Sequence, residues 1–339
     1  MKNLIRKDLQ DIKPYSSARD EFSGAAAVFL DANENPFETG VNRYPDPYQR
    51  EVKEKLAEIK GVQLGQLLLG NGSDEVIDLL FRGFCNPGED FAVAIEPSYG
   101  MYDVSSKING VKLKKVQLNP DFSMNTQQLI ETSQGAKLVF ICSPNNPTGN
   151  SFRRSEILEI LNQTTGILVV DEAYIDFSNK PSLTDLVSEN PRLFILQTLS
   201  KAWGLAGIRL GIGIGNTELI AFLHKIKPPY NINQLTQDYA LKRLAEKEKV
   251  QTEIEVIKAE RKKLAVFLKE LPIIQEVFPS DANFILIRIS EATNWYTKLV
   301  KQGVIVRNRS NQPLCAETLR ISVGTPEENE KLMNLLRTT

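Results

Sequence analysis

The chain has 339 residues, 42% hydrophobic and 24% charged, enough for one large or two modest domains with an ample core. Its 41 basic and 42 acidic residues leave a net charge of −1, so no basic excess points to nucleic acid or to an anionic membrane. Cys85, Cys142 and Cys315 are too few and odd in number for a disulfide framework, which fits a reducing, cytoplasmic compartment. With His224 as the one histidine, a zinc site lacks its usual ligands.

In chain order, the N-terminus is charged throughout and has no h-region, so it does not read as a signal peptide, and no apolar run is long enough to span a membrane. Residues 3–12 predict a short amphipathic helix with Leu4, Ile5, Leu9 and Ile12 on one side. Residues 31–48, rich in Asn, Pro and Asp, predict an irregular loop. Ser73 is a plausible N-cap for a helix carrying Val76, Ile77, Leu80 and Phe84 at helical spacing. Asp74 and Glu75 suit its first turn, and Asn86-Pro87-Gly88 stops it.

Short apolar runs follow at 91–95, 111–118, 137–142, 166–170, 192–196 and 208–215, with helical patterns such as 155–163 between several of them. That alternation predicts a mainly parallel sheet covered on both faces. After a boundary near 228–245, Val250, Ile254, Ile257, Leu264, Leu268 and Leu271 step by threes and fours, with Arg261 in the one gap. They predict a long helix. Strands at 283–289, 304–307 and 318–323, a helix near 291–302 and a terminal helix complete a smaller α+β domain.

Ligands of open α/β sheets bind outside the carboxyl ends of the strands. Three successive strand ends carry Asn146, then Asp171 and Tyr174, then Ser200 and Lys201. Ahead of them Asn71-Gly72-Ser73 opens a helix whose free N–H groups can hold an anion, and Arg209 follows Lys201 by eight residues. Each type has work to do around pyridoxal 5'-phosphate. A lysine amine forms a Schiff base and moves protons at the substrate Cα, and a carboxylate such as Asp171 keeps the ring nitrogen protonated. Asn146 and Tyr174 suit the phenolic oxygen. Ser73, Ser200 and Arg209 suit the phosphate, and Tyr99 suits the ring face. No metal site is expected.

Read together, SPNNPTG (143–149), VVDEAYIDF (169–177) and TLSKAWGLAGIRLG (198–211) resemble the fold-type I aminotransferases, class II subgroup. KPYSSAR (13–19), LDANENPF (30–37), NRYPDP (42–47), GSDEVIDL (72–79), PSYGMY (97–102), SDANFIL (280–286) and LRISVGTPEEN (319–329) narrow the resemblance to the histidinol-phosphate aminotransferases over nearly the whole chain. The resemblance implies a fold-type I α/β architecture: an N-terminal arm with part of the small domain over 1–40, a large pyridoxal-phosphate-binding domain over 41–235, and a C-terminal small domain over 236–339.

It implies Lys201 as the Schiff-base lysine, Asp171 at the pyridinium nitrogen, and Tyr174 and Asn146 at the phenolic oxygen. Tyr99 would stack on the ring. Ser73, Asp74 (through its backbone), Ser200 and Arg209 would hold the cofactor phosphate, with Tyr44 reaching it from the partner subunit of a homodimer. Arg320 would be the general substrate-anion arginine, Arg307 and Tyr15 (from the partner subunit's arm) would help hold the substrate phosphate, and Asn146 also lies beside the substrate. The implied reaction is reversible transamination between histidinol phosphate with 2-oxoglutarate and imidazole acetol phosphate with glutamate, in histidine biosynthesis. An aromatic amino-acid aminotransferase and a threonine-phosphate decarboxylase share the scaffold. Trp203-Gly204 departs from the family's pattern behind the lysine. A dinucleotide-dependent dehydrogenase is disfavoured because the glycines of 211–215 do not form G-x-G-x-x-G. A non-catalytic regulatory protein is disfavoured because Lys201 is present.

Overall fold

The computed structural model describes residues 2–14 and 28–337. The first elements are two 3-10 turns, Lys2–Leu4 and Lys7–Leu9, where the apolar spacing predicts one helix. Leu4, Ile5, Leu9 and Ile12 do pack against the core, so the buried side is as expected and the helix is not. The break falls at Arg6, whose ψ is 137° and whose N–H donates to Gly83 O at 3.0 Å. It satisfies a carbonyl at the end of another helix instead of continuing its own.

Helix α1 (Arg50–Lys60) precedes strand β1 (Leu67–Asn71), helix α2 (Ser73–Phe84), β2 (Phe91–Glu96), α3 (Met101–Ile108), β3 (Lys112–Gln117) and α4 (Thr126–Thr132). Then come β4 (Leu138–Cys142), α5 (Arg154–Gln163), β5 (Ile167–Asp171), β6 (Leu193–Thr198), β7 (Leu210–Gly215), α6 (Thr217–Ile226), α7 (Gln234–Leu244) and α8 (Lys247–Lys269). The chain ends with β8 (Ile274–Val277), β9 (Phe284–Ile289), α9 (Ala292–Lys301), β10 (Arg307–Asn308), β11 (Thr318–Ser322) and α10 (Pro326–Arg337).

Seven strands form one sheet in the order β1-β7-β6-β5-β4-β2-β3. The run from β6 to β3 is parallel, and β7 lies antiparallel to both its neighbours. Successive residues of the central strands feed opposite cores: Val139 and Ile141 pack on one side, and Leu138 and Phe140 on the other. This two-faced burial is why the strands read as unbroken apolar runs. A second, antiparallel sheet, β10-β11-β9-β8, packs with α8, α9 and α10 around its own core.

Arg261, the gap in the apolar stripe of α8, is buried. Its guanidinium donates to Ala282 O at 2.5 Å and Phe177 O at 3.4 Å, tying the long helix to loops of both sheets.

His224 is structural, as its place on a helix suggests. It is bonded to the buried Lys53 (Nζ to Nε2 2.9 Å). Burial, then the charge of Lys227, pulls the Lys53 amine down to about 7; burial, then Lys53, pulls His224 down to about 3. Between about pH 7 and the ordinary lysine range the unfolded chain therefore binds more protons at Lys53, so this residue's contribution to stability rises with pH there. We expect the stability difference between wild type and Lys53→Met to grow in favour of wild type by several kcal/mol from pH 7 to about pH 10. Denaturant melts at four pH values would show it, and a flat difference would mean that Lys53 titrates normally.

Candidate active site

The sheet's strand order gathers the chemistry. β1, β6, β5, β4 and β2 end at one edge, and β7, running the other way, begins there. One cleft at this edge is lined by Ser73, Asp74, Tyr99, Asn146, Asp171, Tyr174, Ser200, Lys201 and Arg209, with Cys142, Ala173 and Thr198 between them. It holds about 450 Å³ of empty space, part of it open to solvent.

The anion end is built by close backbone approach. Ser73 is the first residue of α2 rather than its cap; Gly72 takes the cap position at φ 75°. Gly72 N–H donates to Arg209 O at 2.8 Å, and a Cβ on Gly72 would meet the Arg209 guanidinium at 2.5 Å. A Cβ on Gly211 would meet Ser73 N at 2.1 Å, so β7 passes against the helix start only because that position has no side chain. The glycines of 211–215 thus serve close packing. The Asp74 carboxylate accepts from Tyr99 Oη at 2.9 Å and from Arg209 at 3.2 Å, leaving the start of α2 to present backbone N–H groups. Ser200 Oγ is buried and has no hydrogen-bond partner among the described residues. An orphaned hydroxyl beside Arg209 and a helix start fits a phosphate group.

Asp171 also lines the cleft and is 2% exposed. Its Oδ2 accepts from Tyr102 Oη at 2.7 Å and its Oδ1 from Ala173 N–H at 3.1 Å. Burial raises its pKa, while the bonds from Tyr102 and Ala173 and the charge of Lys201 oppose that rise. Tyr102, wholly buried, was not among the expected site residues. It stands three residues after Tyr99, just inside the helix that begins at Met101, and the two rings meet edge to face at 5.7 Å. That spacing is the signal that could have found it.

Lys201 keeps contact with solvent, yet loss of water around its amine, then the charges of Arg320 and Arg209, lowers its pKa. A lysine held this way gives up its proton more readily and is a better nucleophile and base. Asn146 Nδ2 donates to Tyr174 Oη at 3.4 Å, and Asn146 Oδ1 accepts from Arg320 at 2.5 Å. Burial foremost holds the Tyr174 hydroxyl well above its ordinary pKa. Arg320 also lies over the Phe284 ring at 5.2 Å. Trp203 is buried behind the lysine, and Gly204 sits at φ 68°, which explains the absence of a helix-favouring residue there.

Arg307 pairs across the strands with Arg320, which brings the second expected substrate arginine beside the first. Tyr44 is not in the cleft of its own chain. It is 48% exposed, stacks on Tyr230 at 4.5 Å and lines a separate groove with Glu34, Arg43 and Leu235. Tyr15 lies outside the described residues.

This fold and cleft define a vitamin B6-type transferase scaffold, and the comparisons agree: residues 26–336 match the family described as aminotransferase class I and II, and the chain belongs to that family. Relatives named histidinol-phosphate aminotransferase include those of Parabacteroides distasonis and Flavobacterium psychrophilum. The first is 50% identical, with 99% of this chain and 98% of the relative covered; the second is 48% identical, with 99% and 97% covered. The solved histidinol-phosphate aminotransferase of Clostridium acetobutylicum superposes with a TM-score of 0.81 at 26% identity, covering 88% of this chain and 91% of that one.

Proposed function

We propose that this chain is a pyridoxal 5'-phosphate-dependent aminotransferase that moves the amino group of histidinol phosphate to 2-oxoglutarate, giving imidazole acetol phosphate and glutamate reversibly. The step belongs to histidine biosynthesis. The observation that carries the substrate reading is the arginine pair Arg307 and Arg320, set side by side next to a lysine with a lowered pKa.

When bound, pyridoxal phosphate supplies an electron sink for negative charge developing at the substrate Cα. Ser73, the backbone of Asp74, Ser200 and Arg209 would hold its phosphate, Tyr174 and Asn146 its phenolic oxygen, and Asp171 its ring nitrogen, with Tyr99 on a ring face. Asp171 supplies a fixed negative charge, aimed by Tyr102. Lys201 takes up the proton that leaves the substrate Cα and gives it back later in the same half-reaction. Arg320 and Arg307, with Tyr15, hold the substrate's anionic end, and the same arginines take the carboxylates of glutamate in the second half of the cycle. Glutamate production from histidinol phosphate, assayed beside phenylalanine turnover and carbon dioxide release from threonine phosphate, separates this reading from its two rivals on the scaffold.

The chain works as a homodimer with shared active sites. Tyr44 supports this: it stands exposed outside its own cleft, and on α7 Leu235 and Tyr239 are 67% and 57% exposed. Two inactive variants test it. Tyr44→Ala and Lys201→Ala, refolded together, should recover about a quarter of wild-type activity, because each mixed dimer regains one complete site. No recovery in proven mixed dimers would contradict shared sites. A cytoplasmic location accords with Cys85, Cys142 and Cys315, each buried and unpaired, and no described helix is long and apolar enough to cross a membrane.

A further inference from the structure

Beyond Arg307 and Arg320, a third guanidinium belongs to the same surface. Arg307 lies directly opposite Arg320 in the β10–β11 ladder, so both side chains leave the same face of the sheet. Asn308 points to the other face, where its amide donates to Thr293 of α9 at 3.1 Å. Arg309 continues the ladder, with its N–H bonded to Thr318 O at 3.0 Å, and by strand alternation its side chain returns to the face of Arg307 and Arg320.

Like charges opposed across strands destabilise a sheet unless something of opposite sign sits between them. Among the described residues no carboxylate forms an ion pair with any of the three, and the side-chain partner Arg320 has is the neutral Asn146. Arg309 and Arg320 each keep a buried Nε with no acceptor among the described residues. Crowding supports the same point: burial, then Arg320 and Arg307, lowers the Arg309 pKa to about 10. The charges of Arg320 and Arg309 also both act on the Tyr174 hydroxyl, which places Arg309 electrostatically within the site. Three cations with two unused buried donors suit a dianion better than a single carboxylate.

We infer that Arg309 is a third contact of the substrate-anion subsite and sets its preference for a phosphate-bearing amine. The inference rests on the function proposed above. Arg309 sits two residues beyond the expected arginine, just past the end of β10.

The test uses the holoenzyme with histidinol phosphate and with histidinol, which lacks the phosphate. The quantity read is the ratio of the two kcat/KM values. In Arg309→Gln this ratio should fall about 10–100-fold, the scale of one lost hydrogen bond to a charged group, mostly through a higher KM for histidinol phosphate. Arg309→Lys should restore part of it. An unchanged ratio in Arg309→Gln, or an equal loss on both substrates that lysine does not relieve, would overturn the inference and leave Arg309 a packing residue. A wild type that shows no preference for histidinol phosphate would instead overturn the function itself.

Discussion

Replacing Lys201 by alanine should reduce transamination by roughly 10⁴-fold or more, because in the proposed mechanism one residue supplies both the covalent link to the cofactor and the proton movements at the substrate Cα. The cleft explains why this amine is fit for both. It lines the same cleft as Asp171 and Arg209, and loss of hydration together with the charges of Arg320 and Arg209 disfavours its ammonium form. The variant should still bind pyridoxal phosphate through the phosphate end, where Ser73, Ser200 and Arg209 are untouched, but without the visible band of lysine-bound cofactor. Rapid-mixing kinetics and absorbance spectra check both halves. Turnover within tenfold of wild type would remove Lys201 from the centre of the mechanism.

Asp171→Asn should separate activity from stability. The amide keeps the size of the side chain; its oxygen can still accept from Ala173 N–H, while its nitrogen would donate to the Tyr102 hydroxyl in place of the bond Asp171 accepts, and it removes the fixed charge proposed to face the ring nitrogen. Loss of one well-placed electrostatic group in a closed site costs about 10²–10³-fold in rate. The effect on the empty protein runs the other way. Burial raises the Asp171 pKa, so above the ordinary carboxylate range the folded chain holds its proton more strongly than the unfolded chain, and this residue's contribution to stability declines as pH rises through that range. The asparagine variant without cofactor should therefore melt at a higher temperature than wild type at pH 7. A variant that loses activity and also melts lower would mean that the carboxylate is satisfied by its neighbours and is part of the core, not a charge held for function.

Much of this site is legible in the sequence, for a physical reason. A parallel sheet buried on both faces writes its strands as apolar runs, and the residues just after each run must lie at one edge. Asn146, Asp171, Tyr174, Ser200 and Lys201 could be placed together on that ground alone. What stays hidden depends on pairing rather than on periodicity. The run at 304–307 alternates like a strand, yet only Arg307–Asn308 finds a partner in β11, while Ile305 remains 75% exposed. β1 runs directly into Gly70-Asn71-Gly72 and does not stand out, and β8 is half polar, though both complete a sheet. The N-terminal segment has helical spacing, but Arg6 finds a better use for its N–H at the end of α2. Ser73 was displaced from the cap by one residue because the approach of Arg209 demands a glycine there. Arg309 stays hidden because a loop arginine carries no local mark of what it faces.

The most direct test of the central claim is a single half-reaction. The purified holoenzyme is titrated with histidinol phosphate while its visible absorbance is followed, with phenylalanine in a parallel cell. The expected result is loss of the lysine-bound cofactor band at low histidinol phosphate, reversed by 2-oxoglutarate, with phenylalanine far weaker. A response to phenylalanine alone would contradict the account.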